Sequence, residues 1–154
     1  MSLRRYVPAD WERLCAIHDA ARKGELEASG LLEAFLTLEQ TAQSEGLFDG
    51  EVVVCEDAGE VKGFAAYAEG ELTWLYVDPS AYGRGFGRQL LRHVIAACGG
   101  VVSTEVLVGN ERALALYASE RFEIVKRVDG RLTGNEAFAA SGYVLQRVSI
   151  EASG

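Results

Sequence analysis

The sequence predicts an α+β fold of the three-layer α/β kind: a mixed, mostly antiparallel sheet of about seven strands, one parallel pair among them, flanked by about four helices. Three observations carry this prediction. Three short β-forming runs, Glu51–Asp57, Val61–Ala68 and Glu71–Val77, follow one another across the turns Ala58-Gly59-Glu60 and Glu69-Gly70, which is the pattern of an antiparallel meander. The third run leads through Asp78-Pro79 into a glycine-rich loop and then straight into an amphipathic helix. The apolar segment Val101–Val108 comes after that helix, so it pairs in parallel with Leu72–Val77.

Taken in order, Leu3–Val7 is a short strand closed by Pro8. Asp10 caps a helix that runs to about residue 26, with Trp11, Leu14, Cys15, Ile17 and Ala21 on its apolar stripe. His18 falls at the edge of that stripe, as a partly buried structural histidine or as a substrate contact. Ser29-Gly30 breaks the helix, and Leu31, Leu32, Phe35, Leu38 and Ala42 mark a second one ending near Gly46. Leu72, Trp74, Leu75, Tyr76 and Val77 are β-formers, and Pro79 ends their strand by removing a ladder donor. The next helix buries Phe86, Leu90, Leu91, Val94, Ile95 and Cys98. Val101–Val108 reads as a strand covered on both faces, and Asn110–Glu120 as a helix with Ala113, Leu116 and Tyr117 on one side. Phe122–Val128 and Gly142–Ser149 are the last strands, joined by a loop over Asp129–Ser141. Trp11, Trp74 and Phe35 read as packing residues, and Phe138 as packing or pocket-lining.

The loop is the informative stretch. Gly83, Gly85 and Gly87 alternate with Arg84, Phe86 and Arg88, so the backbone reaches dihedrals closed to other residues and approaches a ligand closely. It sits on a helix N-terminus, where unpaired N–H groups and the macrodipole favour anions. A Walker loop is excluded by spacing, and a dinucleotide fingerprint would need glycine where Arg88 stands. A plain strand–turn–helix connection, with glycines for packing, is the alternative when the loop is taken alone.

With 154 residues and 49% hydrophobic content, the chain suits one domain over 1–154. It has no membrane-length apolar run, and its start lacks the apolar core of a signal peptide; a cytoplasmic location is expected. Cys15, Cys55 and Cys98 are far apart in apolar company, which points to core thiols, not disulfides or metal ligands. The net charge of −8 argues against a nucleic-acid partner. Residues 1–83 carry 6 Lys/Arg against 16 Asp/Glu, while 84–131 carry 8 against 5, so the positive excess lies with the glycine-rich loop. That distribution suits an anionic ligand beside the loop and a cationic one elsewhere, although acidic surfaces also serve solubility.

Tyr82-Gly83-Arg84-Gly85-Phe86-Gly87 is similar to the acyl-CoA binding motif of the GNAT superfamily of N-acyltransferases, Arg/Gln-x-x-Gly-x-Gly/Ala, with Tyr82 in the Arg/Gln position. Asn110-x-x-Ala113-x-x-x-Tyr117 followed by Phe122 resembles the later motif of the same superfamily, with Arg121 where a glycine is usual. The resemblance covers roughly Glu71–Phe122. It implies acetyl-CoA as co-substrate, no metal, and a sheet whose parallel strands splay. The pyrophosphate would lie on residues 82–88, and the pantetheine arm would bond the main chain of Leu75, Tyr76 and Val77 like an added strand. Asn110 and Ala113 would face the cofactor. Tyr117 would protonate the departing thiolate and Glu71 would serve as general base; the alternatives are a packed tyrosine and a solvated turn carboxylate. A backbone N–H near Val77 would polarise the carbonyl. The acceptor would be a primary amine of a small molecule or peptide, attacked directly in a ternary complex, with the 129–141 loop on its side and a homodimer a common state. Tyr82 and Arg121 leave open a CoA-binding regulatory or sensor module without transfer, and a purely structural α/β protein is the third reading.

Overall fold

The computed structural model describes residues 1–148. Seven strands form one sheet: β1 (Ser2–Arg5), β2 (Glu51–Asp57), β3 (Glu60–Ala68), β4 (Glu71–Val77), β5 (Val102–Leu107), β6 (Glu123–Arg131) and β7 (Ala139–Arg147), in the order β1-β2-β3-β4-β5-β7-β6. Four α-helices accompany it among the described residues: α1 (Trp11–Ala28), α2 (Leu38–Thr41), α3 (Phe86–Cys98) and α4 (Glu111–Ser119). All neighbouring strands are antiparallel except β4 and β5.

Helices cover both faces, and β2 shows how the sequence builds this. Its run of valines is apolar at every position because alternate side chains enter different cores. Val53 and Cys55 pack with Leu90, Leu91 and Val94 of α3, while Val52 and Val54 pack with Leu14 and Ile17 of α1 and Leu38 of α2. Leu90, Leu91 and Val94 are fully shielded from solvent, each contributing about 1.5–3 kcal/mol of transfer free energy. A third cluster of Leu26, Ala34 and Leu132, with Phe35, Leu107 and Phe138 against it, ties the end of α1 to the β6–β7 loop. Phe35 and Phe138 therefore pack, as does Trp74 in the α1 core.

Where β4 and β5 run parallel, they pair only at Glu71 and Ser103, and beyond that point the strands part. The parting starts at an irregularity in β4: Ala66 pairs with Trp74 and Tyr67 with Leu72, so Thr73 is an extra residue, its hydroxyl donating to the Ala66 carbonyl at 3.1 Å. From Thr73 to Val77 the edge of β4 facing β5 lacks a strand partner among the described residues.

Several elements depart from the expectations above. The helix expected over Leu31–Gly46 is instead a single turn of 3-10 helix at Leu32–Ala34, an extended stretch, and the short α2. Phe35 and Thr37 take extended ψ values of 131° and 160°, and Thr37 then caps α2 in a reciprocal box with Gln40. β1 ends at Arg5, short of Val7. β5 is buried on one face only: Val102, Thr104 and Val106 point inward and Glu105 is exposed, because the core under α1 and α2 on the other face takes in no residue of β5. β6 and β7 pair through Arg131 and Ala139, so the loop shrinks to residues 132–138. Ser149, the expected end of the last strand, lies outside the described residues.

Candidate active site

The glycine-rich loop takes the conformation its composition permits. Gly83 and Gly85 have φ of 80° and 87°, in the left-handed region, and a Cβ built on either would meet nothing within 4 Å. These glycines answer to backbone shape and open space, not to packing. Gly85 is the N-cap of α3 and offers no side-chain cap, and no acidic residue stands in the first turn. The first N–H groups of α3 therefore have no intrahelical acceptor and face a region without negative charge from their own helix. Gly87 differs, since a Cβ there would sit in ordinary contact with Val77 and Leu116 at 3.5 and 3.6 Å.

The arginines of the loop are engaged within the protein. Arg84 bonds Asp57 at 2.8 Å and lies over Phe86; Arg88 and Arg92 both bond Glu120, whose carboxyl they hold below its ordinary range, the Arg92 bond first. Arg112 stands instead over the ring of Tyr82, 3.6 Å from its centroid. The residue in the Arg/Gln position of the motif thus holds a guanidinium from α4 on its face, bringing a cation to the loop from another element.

A cleft of about 1520 Å³ runs from this loop through the parting of β4 and β5 to the β6–β7 loop. It is lined by every residue expected to bind cofactor (Leu75, Tyr76, Val77, Tyr82, Gly83, Gly85, Phe86, Gly87, Arg88, Asn110, Ala113 and Tyr117), with the exception of Arg84. Glu71 also lines it, as an exposed carboxylate at the closed end of the parting, where β4 still pairs with β5. Tyr117 is 5% exposed, edge-on to Phe122 at 5.2 Å. Burial raises its phenol above the ordinary value, a hydrogen bond with Thr104 pulls the other way, and the Glu25 carboxylate adds to the rise. It is protonated throughout the neutral range.

Glu25 joins the two sides of the cleft. Its carboxylate accepts from Tyr76 Oη of β4 at 3.2 Å, from Asn110 Nδ2 at the start of α4 at 3.1 Å, and from Arg22 one turn earlier on α1. Asn110 also caps α4 through its Oδ1, which accepts from Ala113 N at 3.3 Å. The side chain expected to face the cofactor thus has both ends occupied by protein, and its position in the cleft is held by Glu25. Nothing in the sequence marks Glu25, whose partners lie 51 and 85 residues away. The spacing of Arg22 and Glu25 shows only an ordinary helical ion pair.

The sequence reading also passed over Glu105 and Glu45. Glu105 lies two residues beyond Ser103 on β5, exposed to the open part of the cleft. Strand alternation is the signal for it, once β5 is known to be covered on one face. Glu45 follows α2, and burial raises its carboxyl above the ordinary range while Arg22 lowers it. It lies so close to Gly134 of the β6–β7 loop that a Cβ on Gly134 would come within 2.6 Å of Oε2. Asn135 pins the same loop by donating to the Ala34 carbonyl at 2.9 Å. The loop expected to border an acceptor therefore lines the cleft, through residues 132–136.

The cysteines are free; burial pushes the Cys55 thiol up to about 11, and Cys15 and Cys98 are partly covered. Among the described residues no group of three or more His, Cys, Asp or Glu side chains is arranged to hold a metal, and no helix is long and apolar enough to cross a membrane.

The sequence model of the acetyltransferase (GNAT) domain matches residues 48–124, half of the chain. The chain is similar to the N-alpha-acetyltransferase RimI of Mycobacterium tuberculosis (strain ATCC 25618 / H37Rv), 45% identical over 73 residues, which are 46% of each chain. It thus spans about half the length of that relative. Among solved structures it is similar to the ribosomal-protein-alanine N-acetyltransferase of Brucella melitensis, with a TM-score of 0.73 and 25% identity over 96% of this chain and 99% of that one. The acetyltransferase YncA of Salmonella typhimurium, described as putative and solved with its cofactor acetyl-CoA, shares the fold with a TM-score of 0.67 and 20% identity over 100% and 96% of the two chains. The glycine cradle, the parted strands and the matched domain agree: the chain belongs to the GNAT family of acetyltransferases.

Proposed function

We propose that this chain is a single acyltransferase domain that moves an acetyl group from acetyl-CoA to a primary amine, the N-terminal α-amine of a peptide being its acceptor class. The observation that carries the reading is the parting of β4 and β5 immediately beside the uncapped N-terminus of α3, with Tyr117 buried in the same cleft. Acceptor class follows the printed names of two similar proteins, an N-alpha-acetyltransferase and a ribosomal-protein-alanine N-acetyltransferase.

The cradle at Gly83 and Gly85 fits a diphosphate, since a side chain would fill the space and the amides above it are free. Tyr82 with Arg112 on its ring, together with the amides of residues 83–88, would hold that end, while the open edge of β4 at Leu75–Val77 would take the pantetheine amides. When bound, the thioester supplies the activated acyl group. The acceptor ammonium loses one proton to a carboxylate at the parting, where Glu71 stands opposite Ser103 and Glu105 lies two residues further along β5, both lining the cleft. A backbone N–H of the parted β4 edge takes the developing oxyanion. Tyr117 gives its proton to the leaving sulfur and regains one from the nitrogen that has become an amide.

The test is release of free CoA by the full chain, with acetyl-CoA and a panel of peptide N-termini, free amino acids, polyamines and aminoglycosides. The expected result is thiol release with a peptide α-amine, lost in one of the Glu71→Gln and Glu105→Gln variants, which assigns the base. Acetyl-CoA binding without thiol release across the panel would instead support a CoA-binding regulatory module, and absence of binding would end the reading.

A further inference from the structure

His18 is 3% exposed, yet its ring lines the cleft on the α1 side, edge-on to Tyr76 with centroids 4.9 Å apart and 5.8 Å from Trp74. Its Nδ1 lies 2.9 Å from Asp19 Oδ1, and the same oxygen accepts from Leu38 N, also at 2.9 Å, so the start of α2 holds the carboxylate in place. An ionised carboxylate only accepts hydrogen bonds, which puts the proton on Nδ1 and leaves a lone pair on Nε2. No hydrogen bond reaches that lone pair among the described residues, and Nε2 is not shut off from solvent there, the one buried unpaired side-chain atom being Ser29 Oγ, so the lone pair is open to the cleft that the ring lines. Burial lowers the affinity of the ring for a second proton; Asp19 and Glu25 on α1 act against this, Arg22 acts with it, and the Tyr76 phenol on β4 is neutral. The ring is therefore a neutral acceptor at neutral pH.

We propose that His18 is a substrate-facing residue whose Nε2 accepts a hydrogen bond from an N–H of the acceptor amine, with Asp19 as the positioning residue behind the ring. The inference deepens the reading of the cleft as an N-acetyltransferase site and rests on it. A lone pair held at this point selects ligands with a donor and works against carboxylates or phosphates on the acceptor side. It also turns the nitrogen so that its own lone pair is free for the carbonyl.

The experiment uses the full chain with acetyl-CoA and the peptide amine that turns over best. For His18→Gln, kcat/KM for the amine is expected to fall about tenfold or more, mostly through KM, with acetyl-CoA affinity within about twofold of wild type. In Asp19→Asn the acid limb of the kcat/KM profile is expected to move to lower pH, because the group that favours ring protonation is gone. An amine kcat/KM unchanged in His18→Gln, or an acid limb unmoved in Asp19→Asn, overturns the proposal. Nitrogen NMR of the wild-type imidazoles, assigned with His93→Gln, does not depend on the folding of either variant. It should show the Nδ1–H form and a shift of the His18 Nε2 signal on adding the amine, and an Nε2–H form or an unmoved signal overturns the proposal. Wild-type protein that fails to bind acetyl-CoA removes the acetyltransferase reading, and the NMR titration with the amine alone then decides the role of His18.

Discussion

Replacing Gly85 by alanine separates backbone shape from packing in the glycine-rich loop. Gly85 holds φ 87° and ψ 5° at the N-cap of α3, with open space where a Cβ would go. Alanine meets no atom there, so the cost to the free protein is conformational, about 1–2 kcal/mol for a left-handed residue carrying a Cβ. At this chain length about 1 kcal/mol shifts the melting temperature by about 2–4 °C, so a fall of about 2–8 °C is expected. The larger effect falls on the ligand, because the new methyl occupies the space a diphosphate would use and relief of strain draws the N–H groups away. Acetyl-CoA affinity should drop at least about tenfold, about 1.4 kcal/mol. Gly87→Ala is the control two residues on, where a Cβ enters contacts of 3.5 and 3.6 Å at ordinary helical dihedrals. It should leave stability level or raise it by about 0.5–1 kcal/mol. Differential scanning fluorimetry and calorimetric titration of acetyl-CoA read both quantities. A Gly85→Ala protein that melts and binds like wild type, or a Gly87→Ala protein that loses as much as Gly85→Ala, would refute the claim that loop conformation makes the anion site.

Tyr117→Phe should lower kcat by about two orders of magnitude or more and leave acetyl-CoA affinity near wild type, since the ring and its contact with Phe122 remain; an unchanged kcat removes Tyr117 from the acid role. Glu25→Ala should destabilise by about 3–5 kcal/mol, because Arg22, Tyr76 and Asn110 lose their common acceptor in a half-buried place; chemical denaturation measures this, and a loss of about 1 kcal/mol or less refutes the network. Asp10, hydrogen-bonded by Arg4, and Glu120, hydrogen-bonded by Arg92 and Arg88, both sit below their ordinary range in the folded protein. The unfolded chain therefore binds their protons first as pH falls, so their stabilisation is complete above about pH 5 and is lost as pH drops through the lower folded values. Asp10→Asn should flatten that acid slope in denaturation curves taken at a series of pH values, and an unchanged slope counts against the Arg4 pair.

The meander, α3 and the shape of the glycine-rich loop were legible because their signals are local. β4 and α3 begin and end where the residues predict, since Pro79 stops one and Gly85 and Gly99 bound the other. The segment after Gly30 was not legible in the same way. Its apolar spacing fits a helix, but Phe35 and Thr37 take extended backbone so that Leu38 enters the α1 core while Ala34 joins Leu26 and Leu132, and that choice belongs to packing across the chain.

A similar division runs through the candidate site. The chain by itself determined where a glycine-rich loop meets an uncapped helix start, because both are properties of neighbouring residues. It also placed Tyr117 and Asn110 on one helix. Only the tertiary structure decided what lines the cleft with them: Glu25 and His18 come from α1 and Glu105 from β5, and the cleft exists because β4 and β5 part after a single pair. Side chains so distant in sequence become neighbours through sheet order and layer packing, which hydrophobic periodicity constrains by face but not by partner.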